Sequence, residues 1–294
     1  MTDLFDFQAH ANRFAVMGNP VEHSQSPRIH RLFARQFGID MEYRRIQVDT
    51  GGFAQAVSHF AARGGAGLNI TVPFKVEAWQ LCRRPGNRLS ARARHAQAVN
   101  TLRFDRKRAL FGDNTDGIGM IRDLENNLGW GIAGRRVLVL GAGGAVRGVA
   151  GALLERRPDS LTIANRTAPK AQALAGRLSA DGFGGNGIGV AGCGYQQLER
   201  TAFDLIINGT SASLGGGLPE MDAGCIGTHS VVYDMMYAGS PTVFMRWACA
   251  NGAGQASDGL GMLVEQAAAS FHLWHDRRPD TAPVISALRA TLST

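Results

Sequence analysis

One segment constrains this chain more than any other: Val137-Leu138-Val139-Leu140-Gly141-Ala142-Gly143-Gly144-Ala145. Its apolar run shows no alternation, so it reads as a strand buried on both faces, as in a parallel sheet covered by helices. The run ends in a glycine-rich turn and opens into a helix. A dinucleotide pyrophosphate needs that context, because N–H groups at the helix start and the helix dipole both meet negative charge. Gly141 would allow the tight turn, and Gly143 would let the backbone approach the phosphates. Gly141, Ala142, Gly143, Gly144 and Ala145 are therefore candidate cofactor residues. The third glycine of the usual pattern is replaced by Val146, and an ordinary strand-to-helix turn is the alternative.

The end of the next strand separates two cofactors. An NAD site places Asp or Glu there, bonded to the ribose 2′-hydroxyl. Here Leu161–Ala164 runs into Asn165-Arg166-Thr167, with Lys170 following. An acidic side chain would repel a 2′-phosphate, whereas Arg166 can stack on the nucleotide and donate to the phosphate. Thr167 adds a hydroxyl and Lys170 a point charge, which favours NADP(H). A capped helix start with solvated charges would also account for Thr167.

The rhythm continues on both sides. Strand-like runs at Asp204–Asn208 and Ser230–Asp234, with helical stretches at Lys170–Leu178 and Thr242–Ala250, extend the parallel sheet. Ile118, Ile121, Leu124 and Leu128 mark a helix before it. In the first third, Phe14–Met17, Tyr43–Val48 and Gly67–Val72 read as strands. Phe53–Ala62 reads as a helix, and so does a segment opening at Ser26-Pro27 with Ser26 as its N-cap. Two strands flank a charged turn at Asp105 to Arg108. A last helical stripe runs from Leu263 to Trp274. The 294 residues suffice for about two domains.

Composition excludes several function classes. Apolar residues make up 45% of the chain and charged residues 19%, which fits a packed globular protein. No apolar stretch is long enough to cross a membrane, and the first residues do not read as a signal peptide. Cys82, Cys193, Cys225 and Cys249 are scattered and form no C-x-x-C, as expected of reduced thiols in a cytoplasmic protein. The net charge is +7, with a basic stretch at Arg83, Arg84, Arg88, Arg92 and Arg94. No aromatic residue interleaves it, so a solvated face is expected and no nucleic-acid site. His272 and His275 lack the further ligands of a metal site, and no metal is expected.

A set of segments, in order, gives a sharper expectation. It comprises Gly18-Asn19-Pro20, Ser24-Gln25-Ser26-Pro27, Asn69-Ile70-Thr71-Val72-Pro73-Phe74-Lys75, Ala98-Val99-Asn100-Thr101 and Gly112-Asp113-Asn114-Thr115-Asp116-Gly117. It continues with the glycine-rich turn, Asn165-Arg166-Thr167, Tyr233-Asp234-Met235-Met236-Tyr237 and Asp258-Gly259-Leu260-Gly261-Met262. Together these resemble the shikimate dehydrogenase family. The resemblance implies an α/β chain of two domains with an interdomain cleft. Residues 1–116 with 259–294 would form a discontinuous substrate domain, and 117–258 a Rossmann-like NADP-binding domain.

The resemblance also implies roles. Lys75 and Asp116 match the catalytic pair. Ser24 and Ser26 match residues that bind a substrate carboxylate, with Tyr237 nearby. Asn69, Thr71, Asn100 and Gln266 match residues that bond ring hydroxyls. Met235 and Gly259 match positions beside the nicotinamide. Asn165, Arg166 and Thr167 match the 2′-phosphate site, where Lys170 replaces a common arginine and loses its fork of donors. The implied substrates are 3-dehydroshikimate and shikimate, handled by a monomer or homodimer. An NAD-preferring quinate/shikimate dehydrogenase and a non-catalytic binding protein on the same fold are the alternatives. Arg166 argues against the first, and Lys75 with Asp116 against the second.

Overall fold

The computed structural model describes residues 12–105, 107–183, 187–210, 212 and 217–292. The chain divides into two compact units. One extends to Thr115 and takes back Ala267–Asp280; the other comprises Asp116–Gln266 and the chain from Thr281 onward.

The first unit runs β1 (Asn12–Gly18), α1 (Ser26–Gln36), β2 (Met41–Gln47), α2 (Phe53–Ala62), β3 (Gly65–Ile70), α3 (Lys75–Cys82), β4 (Arg88–Leu89), α4 (Ala91–Ala96), β5 (Thr101–Phe104) and β6 (Leu110–Asp113). Its sheet has the order β2-β1-β3-β5-β6-β4. β1 is parallel to β2 and β3, whereas β5 pairs antiparallel with β3 and β6. On one face Ala15, Met17, Leu68 and Ile70 meet Phe53, Val57, Phe74 and Ala78. On the other, Phe14 packs on Trp274, with ring centroids 4.6 Å apart. The Trp274 indole N–H donates to the Leu102 carbonyl at 3.0 Å. Gly67 must be glycine here, because a Cβ would stand 2.4 Å from the indole nitrogen. The turn read at Asp105 to Arg108 includes residue 106, which lies outside the described residues.

Ser26 is not the N-cap of α1. Gln25 holds that position without a side-chain cap, and Ser26 is the first helical residue. Its N–H donates instead to the Ser24 hydroxyl at 3.3 Å. The basic stretch does not act as one patch. Arg92 donates to the buried carboxylate of Asp113 at 2.6 Å, and Arg94 to the Leu89 carbonyl at 2.7 Å. Arg83 lies over the Trp79 ring at 4.7 Å.

The second unit begins with α5 (Asp116–Arg122), which continues into a wider turn at Asp123–Asn127. It proceeds through β7 (Arg136–Leu140), α6 (Gly144–Leu154), β8 (Ser160–Ala164), α7 (Ala168–Ala180), β9 (Gly189–Cys193), β10 (Leu205–Asn208), β11 (Val231–Asp234), α8 (Val243–Ala250) and β12 (Gln255–Asp258). The strand order is β12-β11-β10-β7-β8-β9 and every pairing is parallel. Both faces are covered, which is why β7 shows no polar alternation. Val137 and Val139 join Val146, Val149 and Leu174, while Leu138 and Leu140 join Phe244 and Ala248. Strand order reverses between β7 and β10, the place where open α/β sheets bind ligands at strand carboxyl ends.

Helix α9 (Leu260–His275) is continuous, but its residues through Gln266 belong to the second unit and those from Ala267 to the first. α10 (Ala282–Leu292) belongs to the second unit. The expected boundary at residue 259 had placed the whole tail with the first third. No helix among the described residues is long and apolar enough to cross a membrane.

Candidate active site

In the first unit the candidate substrate residues gather at one end of the sheet. β1 ends at Gly18, where a Cβ would meet the Thr71 methyl at 2.3 Å. The Thr71 N–H donates to Met17 O at 2.9 Å, and Asn19 N–H to Val72 O at 3.0 Å. These bonds place the loop carrying Ser24 and Ser26 beside the turn that leads from Thr71 to Lys75. Ser24 Oγ donates to Ser26 Oγ at 3.2 Å, and Ser26 is only 7% exposed. Arg45, which the sequence did not single out, donates through Nε and Nη2 to the Ser24 carbonyl at 3.0 and 2.7 Å.

Lys75 is half-buried as the first residue of α3, and its carbonyl accepts from Val99 N–H at 2.8 Å. That bond brings Lys75 next to Asn100. The Asn100 side chain donates to Thr115 Oγ1 at 2.9 Å and accepts from Thr115 N–H at 2.8 Å. Thr115 is thus fixed, and Asp116 follows it in the chain, 6% exposed.

Asn69 is the hub of a buried polar cluster. Its Oδ1 accepts from the Tyr43 hydroxyl at 2.7 Å and lies 3.1 Å from His30 Nε2. Its Nδ2 donates to Thr101 Oγ1 at 3.2 Å and Ser270 Oγ at 3.0 Å. Burial lowers the His30 pKa to about 3, so the ring is neutral and Nε2 carries the donated proton. Burial likewise raises the Tyr43 phenol well above its ordinary value. Neither His30 nor Tyr43 stood out in the sequence, because a histidine on an apolar helix face looks like ordinary core.

In the second unit Gly141 has φ +103°, and its N–H donates to Ala164 O at 2.7 Å. A Cβ there would stand 3.3 Å from the Gly209 carbonyl, so the turn needs glycine. Gly143 is the N-cap of α6, with open space where a Cβ would be. Beside this turn lies a pocket of about 550 Å³ lined by Ala142, Gly143, Asn165, Arg166, Thr167 and Lys170, and also by Arg147 and Arg177. No carboxylate is among its lining residues. Thr167 is the N-cap of α7 but makes no side-chain cap, which leaves its hydroxyl for other work. This donor set fits an adenosine carrying a 2′-phosphate, as NADP does.

Met235 and Gly259 lie together at the carboxyl ends of β11 and β12. Gly259 N–H donates to Met236 O at 3.0 Å, and a Cβ at 259 would stand 2.4 Å from Met235 O. Tyr237 follows; burial, and then the Asp258 charge, raise its pKa, so it keeps its proton as a donor. Gln266 packs its Cβ side against Gly119 of α5. No group of three or more His, Cys, Asp or Glu residues among the described residues could hold a metal. All four cysteines are free.

Family models match most of the chain. The shikimate dehydrogenase substrate-binding domain matches residues 16–102, shikimate/quinate 5-dehydrogenase residues 124–212, and the shikimate 5′-dehydrogenase C-terminal domain residues 259–289. The shikimate dehydrogenase (NADP(+)) of Nitrosococcus oceani is 49% identical over 278 residues, covering 95% of each chain. The solved Ael1 enzyme from Pseudomonas putida is 42% identical, with a TM-score of 0.85 over 94% of this chain and 98% of that one. Shikimate 5-dehydrogenase from Thermus thermophilus, solved in complex with NADP(H) and shikimate, is 31% identical with a TM-score of 0.82, covering 96% of this chain and 100% of that one. With those segments falling on the parallel sheet and on the sheet end described above, this chain belongs to the shikimate dehydrogenase family.

Proposed function

We infer that this chain catalyses the NADP-dependent, reversible reduction of 3-dehydroshikimate to shikimate, a step in aromatic amino-acid biosynthesis. The observation that carries the reading is the convergence of Ser24, Ser26, Thr71, Lys75 and Asn100 at one sheet end of the first unit. The second unit supports it with a carboxylate-free, basic nucleotide pocket.

NADPH, when bound, supplies the hydride. Gly141 to Ala145 would hold its pyrophosphate, Asn165, Arg166, Thr167 and Lys170 its 2′-phosphate, and Met235 and Gly259 the nicotinamide end. Lys75 supplies positive charge, and a proton, to the carbonyl oxygen as negative charge develops there. Asp116 orients that ammonium and accepts from a substrate hydroxyl. Ser24 and Ser26 each donate to the substrate carboxylate, with Tyr237 as a third donor. Asn69, Thr71, Asn100 and Gln266 bond the ring hydroxyls. The Asn69 amide is already engaged, its oxygen by His30 and Tyr43 and its nitrogen by Thr101 and Ser270, so a bond to a ring hydroxyl would replace one of these.

The same reading makes the chain a cytoplasmic enzyme acting on a small molecule, as monomer or homodimer, with no nucleic-acid partner. The substrate domain would comprise residues 1–116 and 259–294, and the NADP-binding domain residues 117–258. Initial rates with shikimate and quinate, each against NADP+ and NAD+, test the assignment. A preference for quinate, or for NAD+, would overturn it.

A further inference from the structure

We propose that Arg147 and Arg177 belong to the 2′-phosphate site, and that this helix-borne pair strengthens the preference for NADP over NAD beyond what Arg166 and Lys170 supply. The proposal rests on the NADP reading above.

Four basic side chains line the pocket: Arg147, Arg166, Lys170 and Arg177. They are not equivalent. Arg166 and Lys170 are exposed, where water and salt screen a charge. Arg147 and Arg177 are half-buried, where an interaction with an anion is screened less. Arg177 lies two turns beyond Lys170 on α7, so Lys170, Ala173, Leu174 and Arg177 present one face to the pocket. Arg147 comes from the first turn of α6 and lines the same pocket.

The pair is electrostatically unfavourable as it stands. Burial, and then the charge of Arg147, lower the pKa of Arg177, with Asp181 opposing. Arg147 Nε is buried and donates to no acceptor among the described residues. The two guanidiniums therefore repel each other, and the charge of Asp181 offsets only part of that repulsion at Arg177. A phosphate dianion removes the repulsion and accepts charge-assisted bonds from both. NAD, with a hydroxyl at that position, gives no such relief.

The test uses the full chain and two probes, 2′,5′-ADP and 5′-AMP, which differ only in the 2′-phosphate. Arg147→Met, Arg177→Met and Arg177→Lys are titrated calorimetrically, and KM is measured for NADP+ and NAD+. Each Met variant should weaken 2′,5′-ADP by about tenfold or more, the effect of losing a bond to a charged group, while 5′-AMP changes by less than about twofold. Arg177→Lys should fall between wild type and Met, and KM for NADP+ should rise while that for NAD+ does not. Retained shikimate KM and circular dichroism establish that the variants fold. Equal weakening of both probes would overturn the proposal, as would no weakening of either. If the unsubstituted chain itself failed to prefer 2′,5′-ADP, the NADP reading would fall with it. If it discriminates and the Met variants discriminate equally well, only the role of the pair falls.

Discussion

Arg289 of α10 grips both carboxylate oxygens of Asp258: Nη1 donates to Oδ2 at 2.7 Å and Nη2 to Oδ1 at 2.5 Å. Nη1 also donates to the Ala238 carbonyl at 3.2 Å. One guanidinium thus ties the β11 loop, which carries Met235 and Tyr237, to the β12 end, which carries Gly259. Asp258 is only 4% exposed, so it depends on this partner, whereas the Arg289 side chain is 42% exposed and contributes less.

Arg289→Ala should therefore cost about 1–3 kcal/mol of stability, the penalty of leaving a buried carboxylate short of a donor, reduced for the exposed arginine. Its sharper effect should be kinetic. kcat with shikimate should fall, while 2′,5′-ADP binding at the far end of the cofactor is unchanged. Arg289→Lys should recover part of the loss, because it restores charge but not the fork. Steady-state kinetics beside nucleotide titration would show this; an equal loss of nucleotide affinity would argue for general loosening.

Substrate anchoring gives a second prediction. Ser24 and Ser26 already share a hydrogen bond, and the Arg45 bonds to the Ser24 carbonyl hold the backbone between them. The Ser24→Ala, Ser26→Ala double variant should weaken shikimate binding by about 1.5–3 kcal/mol for each lost bond to the carboxylate. Arg45→Ala should have a smaller effect in the same direction, since it loosens the loop without removing a donor. Calorimetry showing undiminished shikimate affinity in the double variant would remove the assignment.

Acid stability follows from His30. Its folded pKa is about 3 against 6.5 for an ordinary histidine, because burial disfavours the charged ring. Between those values the unfolded chain binds a proton that the folded chain does not. Stability is thus fully present above about pH 6.5 and is lost as pH falls towards 3, at about 1.4 kcal/mol per pH unit from this residue. Burial depresses His275 too, and it faces His30 across Phe271, so it acts in the same direction. His30→Gln should flatten the dependence of the urea midpoint on pH between 6 and 4, at some cost in packing against Tyr43. An unchanged slope would mean that the histidine protonates in the fold.

How far the sequence carried the fold depended on the kind of signal. β7 and the turn at Gly141 were legible because a fully buried parallel strand writes its environment directly into consecutive residues. α2 was legible from its glycine-bounded apolar segment. β12, with sequence Gln-Ala-Ser-Asp, carries no apolar signature and is defined by its pairing with β11. α3 was missed because Lys-Val-Glu-Ala-Trp-Gln-Leu-Cys has no clear apolar stripe; its start is set by the turn at Val72-Pro73-Phe74. The tail beyond Thr281 clusters with the second compact unit, which Val284 and Leu288 do not reveal, because they show a buried face without naming the surface that buries it. The candidate site shows the same limit. Lys75 and Arg166 stand out by motif, whereas the shared pocket wall of Arg147 and Arg177 and the Arg289–Asp258 pair join segments distant in sequence, which no local pattern records.

Lys75 gives the last prediction. It sits at the start of α3, half-buried, with its backbone fixed by Val99 and hence beside Asn100. A side chain that supplies charge and a proton to the carbonyl oxygen gains most when negative charge develops there, and gains little in the ground state. Lys75→Ala should therefore lower kcat at least about a hundredfold while changing shikimate affinity only modestly. Lys75→Met keeps most of the length, removes the charge and should lose as much. Asp116→Asn should lose less than Asp116→Ala, because the amide keeps a hydrogen-bonding group at that position. Circular dichroism would establish that each variant folds, and single-turnover rates would separate chemistry from release. Near wild-type turnover in a folded Lys75→Ala variant would rule the lysine out of the reaction.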